Sequence, residues 1–182
     1  MRTMVVLGLG SNKPWQNMPS VRVLTRAVGA LGALLADMRW SSVYRTAPLY
    51  LTEQTAFYNM VVTGFVSESL SPHDLLARTQ QIEASLGRNR AQEVRNGPRT
   101  LDIDIEFFGD QRVHTADLEI PHPRLSERAF VLVPLLEILG ESADTKENAL
   151  SARRDEFAHM LEGCGSDGVE LYLDAASFAS LR

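Results

Sequence analysis

Two aspartates separated by a single residue form the strongest chemical signal in the sequence. Asp102 and Asp104 lie in residues 101–107, where apolar and acidic residues alternate. Residues i and i+2 of a β-strand lie on the same face with Cα atoms about 7 Å apart, so both carboxylates can reach one or two hard cations. The spacing therefore indicates a site for Mg²⁺ and phosphate. The alternative is that the carboxylates form the solvated outer face of an edge strand.

The segment immediately before the aspartates is basic. Residues 87–99 contain four arginines and one acidic residue, although the whole chain has a formal net charge of −5. Guanidinium groups form paired hydrogen bonds to phosphate oxygens. Because the segment has no periodic apolar face and its arginines should repel one another, we predict a loop that is mobile until it binds phosphates. A solvated, charged loop is the alternative interpretation.

The composition limits the classes of protein to which the chain can belong. Of its 182 residues, 45% are hydrophobic and 23% are charged, which indicates a globular protein and excludes a largely disordered one. Its single cysteine, Cys164, excludes an internal disulfide and a thiolate zinc site. The negative charge argues against a nucleic-acid-binding protein, and no apolar run reaches the roughly 20 residues that span a membrane. We expect a cytoplasmic protein that binds neither nucleic acid nor membrane.

Three common nucleotide-binding motifs are absent. The sequence has neither a phosphate loop nor the protein-kinase motif set, and Lys13 stands where the dinucleotide fingerprint has its third glycine. A nucleotide would therefore be bound through metal and arginine.

Periodic apolar residues predict the elements that position these side chains. The expected strands are residues 4–9, 38–46, 57–66 and 101–107, and the expected helices are residues 20–35 and 71–86. Their order, β-α-β-β-α-β, is typical of an α+β, ferredoxin-like fold with an antiparallel sheet and helices on one side. Alternation in the last strand should place three carboxylates on one face and, on the other, Leu101, Ile103, Ile105 and Phe107.

Additional elements follow this core. Residues 130–139 are predicted to form a short helix over the sheet. From Glu141 the sequence becomes polar, with one expected helix at residues 150–161 and one expected strand at residues 169–173. No internal repeat or second domain is visible. We therefore interpret residues 1–182 as a single domain with an atypical tail, residues 141–182, that packs as an appendage or mediates assembly.

The sequence around the aspartates also carries a family resemblance. Residues 95–105, RNGPRTLDIDI, closely resemble the signature of the 6-hydroxymethyl-7,8-dihydropterin pyrophosphokinase (HPPK) family. Further motifs of that family follow in register at residues 9–12, 42–48, 57–59, 80–83, 121–124 and 128–130. The resemblance covers roughly residues 4–139.

The resemblance implies an enzyme of folate biosynthesis. Such an enzyme transfers pyrophosphate from ATP to the hydroxymethyl group of 6-hydroxymethyl-7,8-dihydropterin and releases AMP. ATP is then the co-substrate, and two Mg²⁺ ions are implied at Asp102 and Asp104.

The resemblance also implies roles for individual residues. The residues implied in catalysis are Arg88, Arg99, Asp102 and Asp104. Those implied in binding ATP are Gln80, Glu83, Arg88, Arg99, Ile105, His122 and Arg128. The pterin is expected between the rings of Phe57 and Phe130, with Asn59 and the backbone around Thr46, Ala47 and Leu49 at its edge. A flat heterocycle stacks on aromatic faces, and an Asn amide offers both a donor and an acceptor.

Three features depart from the family pattern. Tyr50 stands where relatives usually have a glycine, so the loop over the pterin is expected to differ in shape or mobility. Glu106 stands where the family is commonly apolar, and the sequence assigns it no role. The polar tail does not resemble the usual ending.

Two other functions fit parts of the pattern. A metal-dependent nucleotidyltransferase also uses paired aspartates, but it releases pyrophosphate instead of AMP. A non-catalytic pterin-binding or nucleotide-binding relative would have lost Asp102, Asp104 or Arg99, and all three residues are present.

Overall fold

The computed structural model describes residues 2–48, 53–94, 97–140 and 150–182. Its strands are β1 (Arg2–Ser11), β2 (Ala36–Trp40), β3 (Val43–Thr46), β4 (Phe57–Ser67), β5 (Asp102–Phe108), β6 (Val113–His114), β7 (Glu119–Ile120) and β8 (Val169–Leu173). Its α-helices are α1 (Ser20–Leu31), α2 (Pro72–Ser85), α3 (Ala129–Gly140), α4 (Arg154–Cys164) and α5 (Ala175–Ala179). Short 3₁₀ turns cover Leu125–Glu127 and Ser151–Arg153. Among the described residues, every helix is too short or too polar to cross a bilayer.

The main sheet is antiparallel throughout. Its spatial order is β5-β1-β4-β3-β8, and β2 also pairs with β4. β6 and β7 form a separate two-stranded sheet. The predicted α+β class is confirmed, and the predicted β-α-β-β-α-β order holds when β2 and β3 are counted as the single strand expected at residues 38–46.

Helices cover both faces of the sheet. On one face, Leu7 and Ile105 pack in a core with Leu24 of α1 and Leu75 of α2. On the other face, Val6 packs in a second core with residues of α3 and α4. The prediction of helices on one side is therefore correct for α1 and α2 only. The nearly continuous apolar sequence of α3 buries the second face, which two helices alone would leave exposed.

A pair of serines divides the predicted second strand. The hydroxyl of Ser41 accepts a hydrogen bond from the backbone N–H of Val61 and donates one to the carbonyl of Ser42. The backbone N–H of Ser42 donates to the carboxylate of Glu137 in α3. Because side chains satisfy these backbone groups, the chain can leave the regular ladder between β2 and β3.

A β-bulge interrupts the alternation of β5. Leu7 pairs with Ile105, but Val6 pairs with Phe107, so Glu106 is an extra residue on β5. Phe107 consequently packs in the second core with α3, while Phe108 joins the first core with Ile105. The prediction that Phe107 shares a face with Ile103 and Ile105 is therefore wrong, because a bulge turns the next side chain to the opposite face.

The C-terminal residues complete both cores. β8 pairs with β3 and so extends the sheet, and Phe178 of α5 is fully buried in the first core. Phe157 of α4 is fully buried in the second core against Phe107. The strand expected at residues 169–173 matches β8, and the helix expected at residues 150–161 begins and ends later, as α4.

Glu137 joins three parts of the fold. Its carboxylate accepts hydrogen bonds from the Ser42 hydroxyl at 2.6 Å and from the Tyr44 hydroxyl at 3.0 Å. The same Ser42 hydroxyl accepts a bond from the backbone N–H of Ala175 at 3.1 Å. Glu137 therefore connects α3 to β3 and, through Ser42, to the C-terminal residues.

We expect Glu137→Ala to lower the free energy of unfolding by about 2 kcal/mol, because it leaves partly buried donors of Ser42 and Tyr44 without their acceptor. Urea unfolding measures this change. Glu162→Ala is the control, since the Glu162 side chain is 78% exposed. Equal unfolding midpoints for the two variants would contradict the proposed connection.

Candidate functional site

The two aspartates lie where β5 pairs with the end of β1. Asp102 faces Gly10 and Asp104 faces Gly8 across the ladder. Both carboxylates are on the side of the sheet covered by α3, where they line a cavity with Phe130. The glycines of β1 carry no side chains, so the strand beside the carboxylates leaves them accessible from the cavity.

Three arginines neutralise the two aspartates. Arg88 Nη1 donates to Asp102 Oδ1, and Arg99 Nε lies 2.9 Å from Asp102 Oδ2. Arg128 Nη1 donates to Asp104 Oδ2 at 2.7 Å. The expectation that arginines of residues 87–99 lack partners and repel one another is therefore wrong for Arg88 and Arg99. Asp102 of β5 lies between these two arginines. Arg88 also pairs with Glu93 of the same segment, where Arg88 Nε donates to Glu93 Oε2 at 3.2 Å.

Glu83 of α2 anchors the arginine-rich segment from inside the protein. It is 1% exposed and accepts hydrogen bonds from Arg88 Nη1 at 2.6 Å, Arg90 Nη2 at 2.6 Å and the backbone N–H of Ile103 at 2.8 Å. Burial raises the pKa of Glu83, while the charge of Arg88 opposes that rise. Glu83 therefore contacts the arginines from inside the protein, and it lies outside the residues that line the cavity with Phe130.

The carboxylates of β5 occupy different electrostatic environments. Burial favours the acid form of Asp102, but the charges of Arg99 and Arg88 lower the pKa of this carboxyl. Burial and the charge of Asp102 raise the pKa of Asp104. Burial and the charge of Asp104 raise the pKa of Glu106 to about 8. The row formed by Asp102, Asp104 and Glu106 therefore carries fewer than three negative charges near neutral pH, which limits the repulsion between these carboxyl groups.

The first cavity, which both aspartates line, also has two aromatic rings in its wall. Phe57 and Phe130 line it together with Asn59, Asp102 and Asp104. The amide of Asn59 donates to the Thr46 hydroxyl at 2.7 Å, which fixes the orientation of its side chain. A Cβ atom at Gly10 would lie 2.8 Å from Asn59 Oδ1, so this glycine makes room for the amide.

Each aromatic ring of this cavity contacts an arginine that is paired with an aspartate. The guanidinium of Arg99 lies 5.1 Å from the centre of the Phe57 ring, and that of Arg128 lies 5.5 Å from the centre of the Phe130 ring. Both separations are within the range of cation–π attraction. The aromatic pair and the carboxylate pair are thus linked by two guanidinium groups.

Two further cavities meet the first one at Asp104. The second cavity is strongly basic and is lined by Arg88, Arg90, Arg99, His122, Arg124 and Arg128 together with both aspartates. The third is lined by Gln80, Ile103, Ile105, Leu118 and His122 and also by the charged residues Arg90, Asp117 and Glu119. Because Asp104 lines all three cavities, groups bound in them would converge on this carboxylate.

The structure brings most of the predicted site residues together. Phe57, Asn59 and Phe130 share the first cavity, and Thr46 contacts Asn59. Arg88, Arg99 and Arg128 share the second cavity, and Gln80, Ile105 and His122 share the third. Ala47 is exposed and lies outside the residues that line the first cavity. Leu49 and Tyr50 lie outside the described residues. The assigned roles remain predictions.

Three residues of the site lie in motifs that the sequence marked, but the sequence assigned them no individual role. Arg90 and Arg124 line the basic cavity, although both lie within segments that the sequence already marked. Asn12 Oδ1 accepts a hydrogen bond from the backbone N–H of Arg99 at 2.9 Å, and Asn12 Nδ2 donates to the carbonyl of Thr55 at 3.1 Å. Asn12 therefore holds the arginine-rich segment beside the residues that precede β4.

The donor set of the site fits a cation that shares its coordination with a ligand. In the part of the chain that the structure describes, no group of three or more His, Cys, Asp or Glu side chains is arranged to hold a metal ion. Asp102 and Asp104 offer a pair of carboxylates at the meeting point of the cavities. Mg²⁺ typically binds one or two carboxylates and completes its coordination with phosphate oxygens and water.

Comparison with known proteins finds a family that matches most of this chain. The profile of the family described as 7,8-dihydro-6-hydroxymethylpterin-pyrophosphokinase (HPPK) matches residues 6–140. The 2-amino-4-hydroxy-6-hydroxymethyldihydropteridine pyrophosphokinase of Bacillus subtilis is 39% identical over 172 residues, which cover 87% of this chain and 98% of that protein. The mitochondrial folate synthesis bifunctional protein of Arabidopsis thaliana is 41% identical over 140 residues, 77% of this chain. The chain spans only 24% of that longer relative.

The fold also resembles a solved structure. The wild-type HPPK-DHPS of Plasmodium falciparum with pteroate matches 93% of this chain and 47% of its own, with a TM-score of 0.62 and 14% identity. At this level of identity the match shows a shared fold.

His122 provides a pH-dependent readout of the site. Burial, followed by the charges of Arg128 and Arg124, lowers the pKa of His122 from 6.5 to about 4. Its Nδ1 accepts a hydrogen bond from the backbone N–H of Arg124 at 3.1 Å, which requires that this nitrogen carry no proton.

We expect the imidazole to titrate near pH 4 in the folded protein, measured by NMR. Between pH 6.5 and 4 the unfolded chain binds a proton at His122 that the folded chain does not, so this residue lowers stability as the pH falls through that window. His122→Gln should therefore lose less stability than the wild type between pH 7 and pH 5. Urea unfolding measures the free energy of unfolding of both proteins at each pH. Equal losses in the wild type and in His122→Gln would contradict the lowered pKa of His122.

Proposed function

The chain belongs to the 7,8-dihydro-6-hydroxymethylpterin-pyrophosphokinase family, and we propose that it transfers a pyrophosphoryl group from ATP to the hydroxymethyl group of 6-hydroxymethyl-7,8-dihydropterin. AMP is the second product, and the reaction is a step of folate biosynthesis. Both the profile match over residues 6–140 and the 39% identity to the Bacillus subtilis enzyme support this function.

One observation carries the proposal beyond family membership. The aromatic cavity between Phe57 and Phe130 and the basic cavity of the arginines share Asp102 and Asp104. A flat pterin in the first cavity and a triphosphate in the second would therefore meet at these carboxylates. Such an arrangement fits a reaction between a heterocyclic alcohol and a nucleoside triphosphate.

The chemistry needs positioning and charge neutralisation more than a nucleophilic side chain. The hydroxymethyl oxygen of the pterin attacks the β-phosphorus of ATP, the bond from that phosphorus to the α,β-bridging oxygen breaks, and AMP leaves. Phe57 and Phe130 orient the pterin ring, and Asn59 recognises its edge. Arg88, Arg99 and Arg128 bind the phosphate oxygens and offset their growing charge. Gln80, Ile105 and His122 would receive the rest of the nucleotide in the third cavity.

Asp102 and Asp104 would hold Mg²⁺, and we propose two ions at this pair. Bound Mg²⁺ supplies charge neutralisation and orientation of the phosphate groups. The arginines that now pair with these aspartates are already beside the phosphate position, so they can exchange carboxylate partners for phosphate oxygens.

We also propose that residues 1–182 form one domain that works in the cytoplasm without nucleic-acid or membrane partners. The joining of β8 to β3 and the burial of Phe157 and Phe178 support a single domain. The single cysteine, Cys164, supports a reducing compartment, because the fold needs no disulfide.

Asp102→Ala and Asp104→Ala should each lower turnover at least about 100-fold while the protein stays folded, because each removes a carboxylate that binds the cation. The assay follows AMP from ATP, Mg²⁺ and the reduced pterin alcohol. Asp155→Ala is the matched control, since the Asp155 side chain is fully exposed on α4. Release of pyrophosphate in place of AMP would show a nucleotidyltransferase, and near-normal turnover would remove the metal assignment.

Phe57→Ala and Phe130→Ala should each weaken pterin binding by roughly 1 to 3 kcal/mol, because each removes one aromatic face of the cavity. Binding of an ATP analogue should change little, and calorimetry measures both affinities. Phe65→Ala serves as control, because Phe65 lies in the same strand, outside the residues that line the cavity. Equal losses for both ligands would indicate general damage to the core.

A further inference from the structure

Glu106 is a third carboxylate on the site face of β5, and the sequence assigns it no role. It is the extra residue of the β-bulge, and its side chain is fully buried. It lines the aromatic cavity together with Asp104 and Phe130. A carboxyl group in a fully buried position is costly unless it makes specific contacts.

The contacts of Glu106 point to Arg128. Arg128 Nη1 donates to Asp104 Oδ2 at 2.7 Å and to Glu106 Oε1 at 3.2 Å, so one nitrogen is shared between two carboxyl groups. Among the described residues, Glu106 Oε2 and Arg128 Nε have no hydrogen-bond partner. Glu106 therefore makes its one side-chain hydrogen bond within the described residues to Arg128.

Gly8 of β1 makes room for this carboxyl group. A Cβ atom at position 8 would lie 2.9 Å from Glu106 Oε1 and 3.5 Å from Val131 Cγ2. A side chain at this position would therefore require Glu106 Oε1, the atom that accepts from Arg128, to shift. The position of the Glu106 carboxyl group therefore depends on the absence of a side chain at Gly8.

We infer that Glu106 is a positioning residue that keeps Arg128 at the site when a cation takes over Asp104. The inference rests on the proposed function, because it assumes that Arg128 binds the phosphates of the nucleotide. Among the residues that the structure describes, Arg128 has two carboxyl acceptors, Asp104 and Glu106. Once Asp104 binds a cation, Glu106 is the one of these two carboxyl groups that still accepts from Arg128, and it continues to hold the guanidinium beside Phe130 and the expected phosphate position.

A purely electrostatic role for Glu106 predicts a different result. Removal of a carboxylate from the site would then leave the affinity for a triphosphate unchanged or increase it, and every neutral replacement would act alike. A positioning role instead depends on the acceptor oxygen. It predicts that Gln, which keeps an oxygen at this place, preserves the contact, whereas Met, which has a similar length and no such oxygen, loses it.

The experiment measures the affinity of the full chain for α,β-methylene-ATP by calorimetry, with and without Mg²⁺. With Mg²⁺, Glu106→Met should weaken binding by about tenfold or more, as expected for loss of one hydrogen bond to a charged group. Without Mg²⁺ the loss should stay below about threefold, because Asp104 still holds Arg128. Glu106→Gln should bind within about threefold of the wild type under both conditions.

Phe107→Leu is the control for damage to the core. Phe107 is the next residue of β5 and is buried on the same side of the sheet, but it packs on Phe157 and lies outside the residues that line the site cavity. The Phe107→Leu variant should lose thermal stability and keep its affinity for α,β-methylene-ATP. A similar loss of affinity in Phe107→Leu would assign the effect of Glu106→Met to the core and overturn the inference.

Gly8→Ala tests the same contact from the opposite strand, without changing Glu106. It should weaken Mg²⁺-dependent binding as Glu106→Met does, and it should cause no further loss in a Glu106→Ala background. Normal affinity of Gly8→Ala, equal effects of Gln and Met, or a loss that is independent of Mg²⁺ would each overturn the inference. The proposed function has a separate test, because the binding measurements need no turnover. It fails if the wild type forms no AMP from ATP, Mg²⁺ and the reduced pterin alcohol.

Discussion

The arrangement of the site depends on ion pairs between the arginines and the carboxylates of β5. Two of these carboxylates lie beside each other on one strand, and Glu106 follows them, so the row would repel itself without nearby cations. Arg99 and Arg128 supply those cations from the segments on either side of β5. Because partly buried charges are expensive when unpaired, each guanidinium and carboxylate stabilises the placement of the other. The free protein thus holds these guanidinium groups in place before any ligand binds.

The same arginines connect the carboxylates of β5 to the aromatic rings of the first cavity. Each arginine that neutralises an aspartate also lies over one aromatic ring, Arg99 over Phe57 and Arg128 over Phe130. An arginine that changes its carboxylate partner would therefore also change its contact with an aromatic ring of the cavity. Behind these contacts, Glu83 fixes Arg88 and Arg90 from inside the protein, which explains why a carboxylate of α2 is buried.

The local sequence determined a large part of this protein. Alternation of apolar and acidic residues identified β5, and the helix expected from residue 71 begins there, where Ser71 and Asp74 form a capping box. The spacing of Asp102 and Asp104 alone indicated a shared face, and β5 places them on one. The order of the main elements followed from periodicity, because periodicity records which side of each element is buried.

Only the tertiary structure decided which groups are paired and which are exposed. The arginines of residues 87–99 look free in the sequence, yet Arg88 is held by Glu83, five residues away, and by Asp102, fourteen residues away. The bulge at Glu106 depends on the register between β5 and β1, which no property of β5 alone reveals. The opposite placement of α3 depends on which face of the sheet α1 and α2 leave uncovered. Pairing, register and coverage arise between different elements of the chain, so they emerge only when the chain folds.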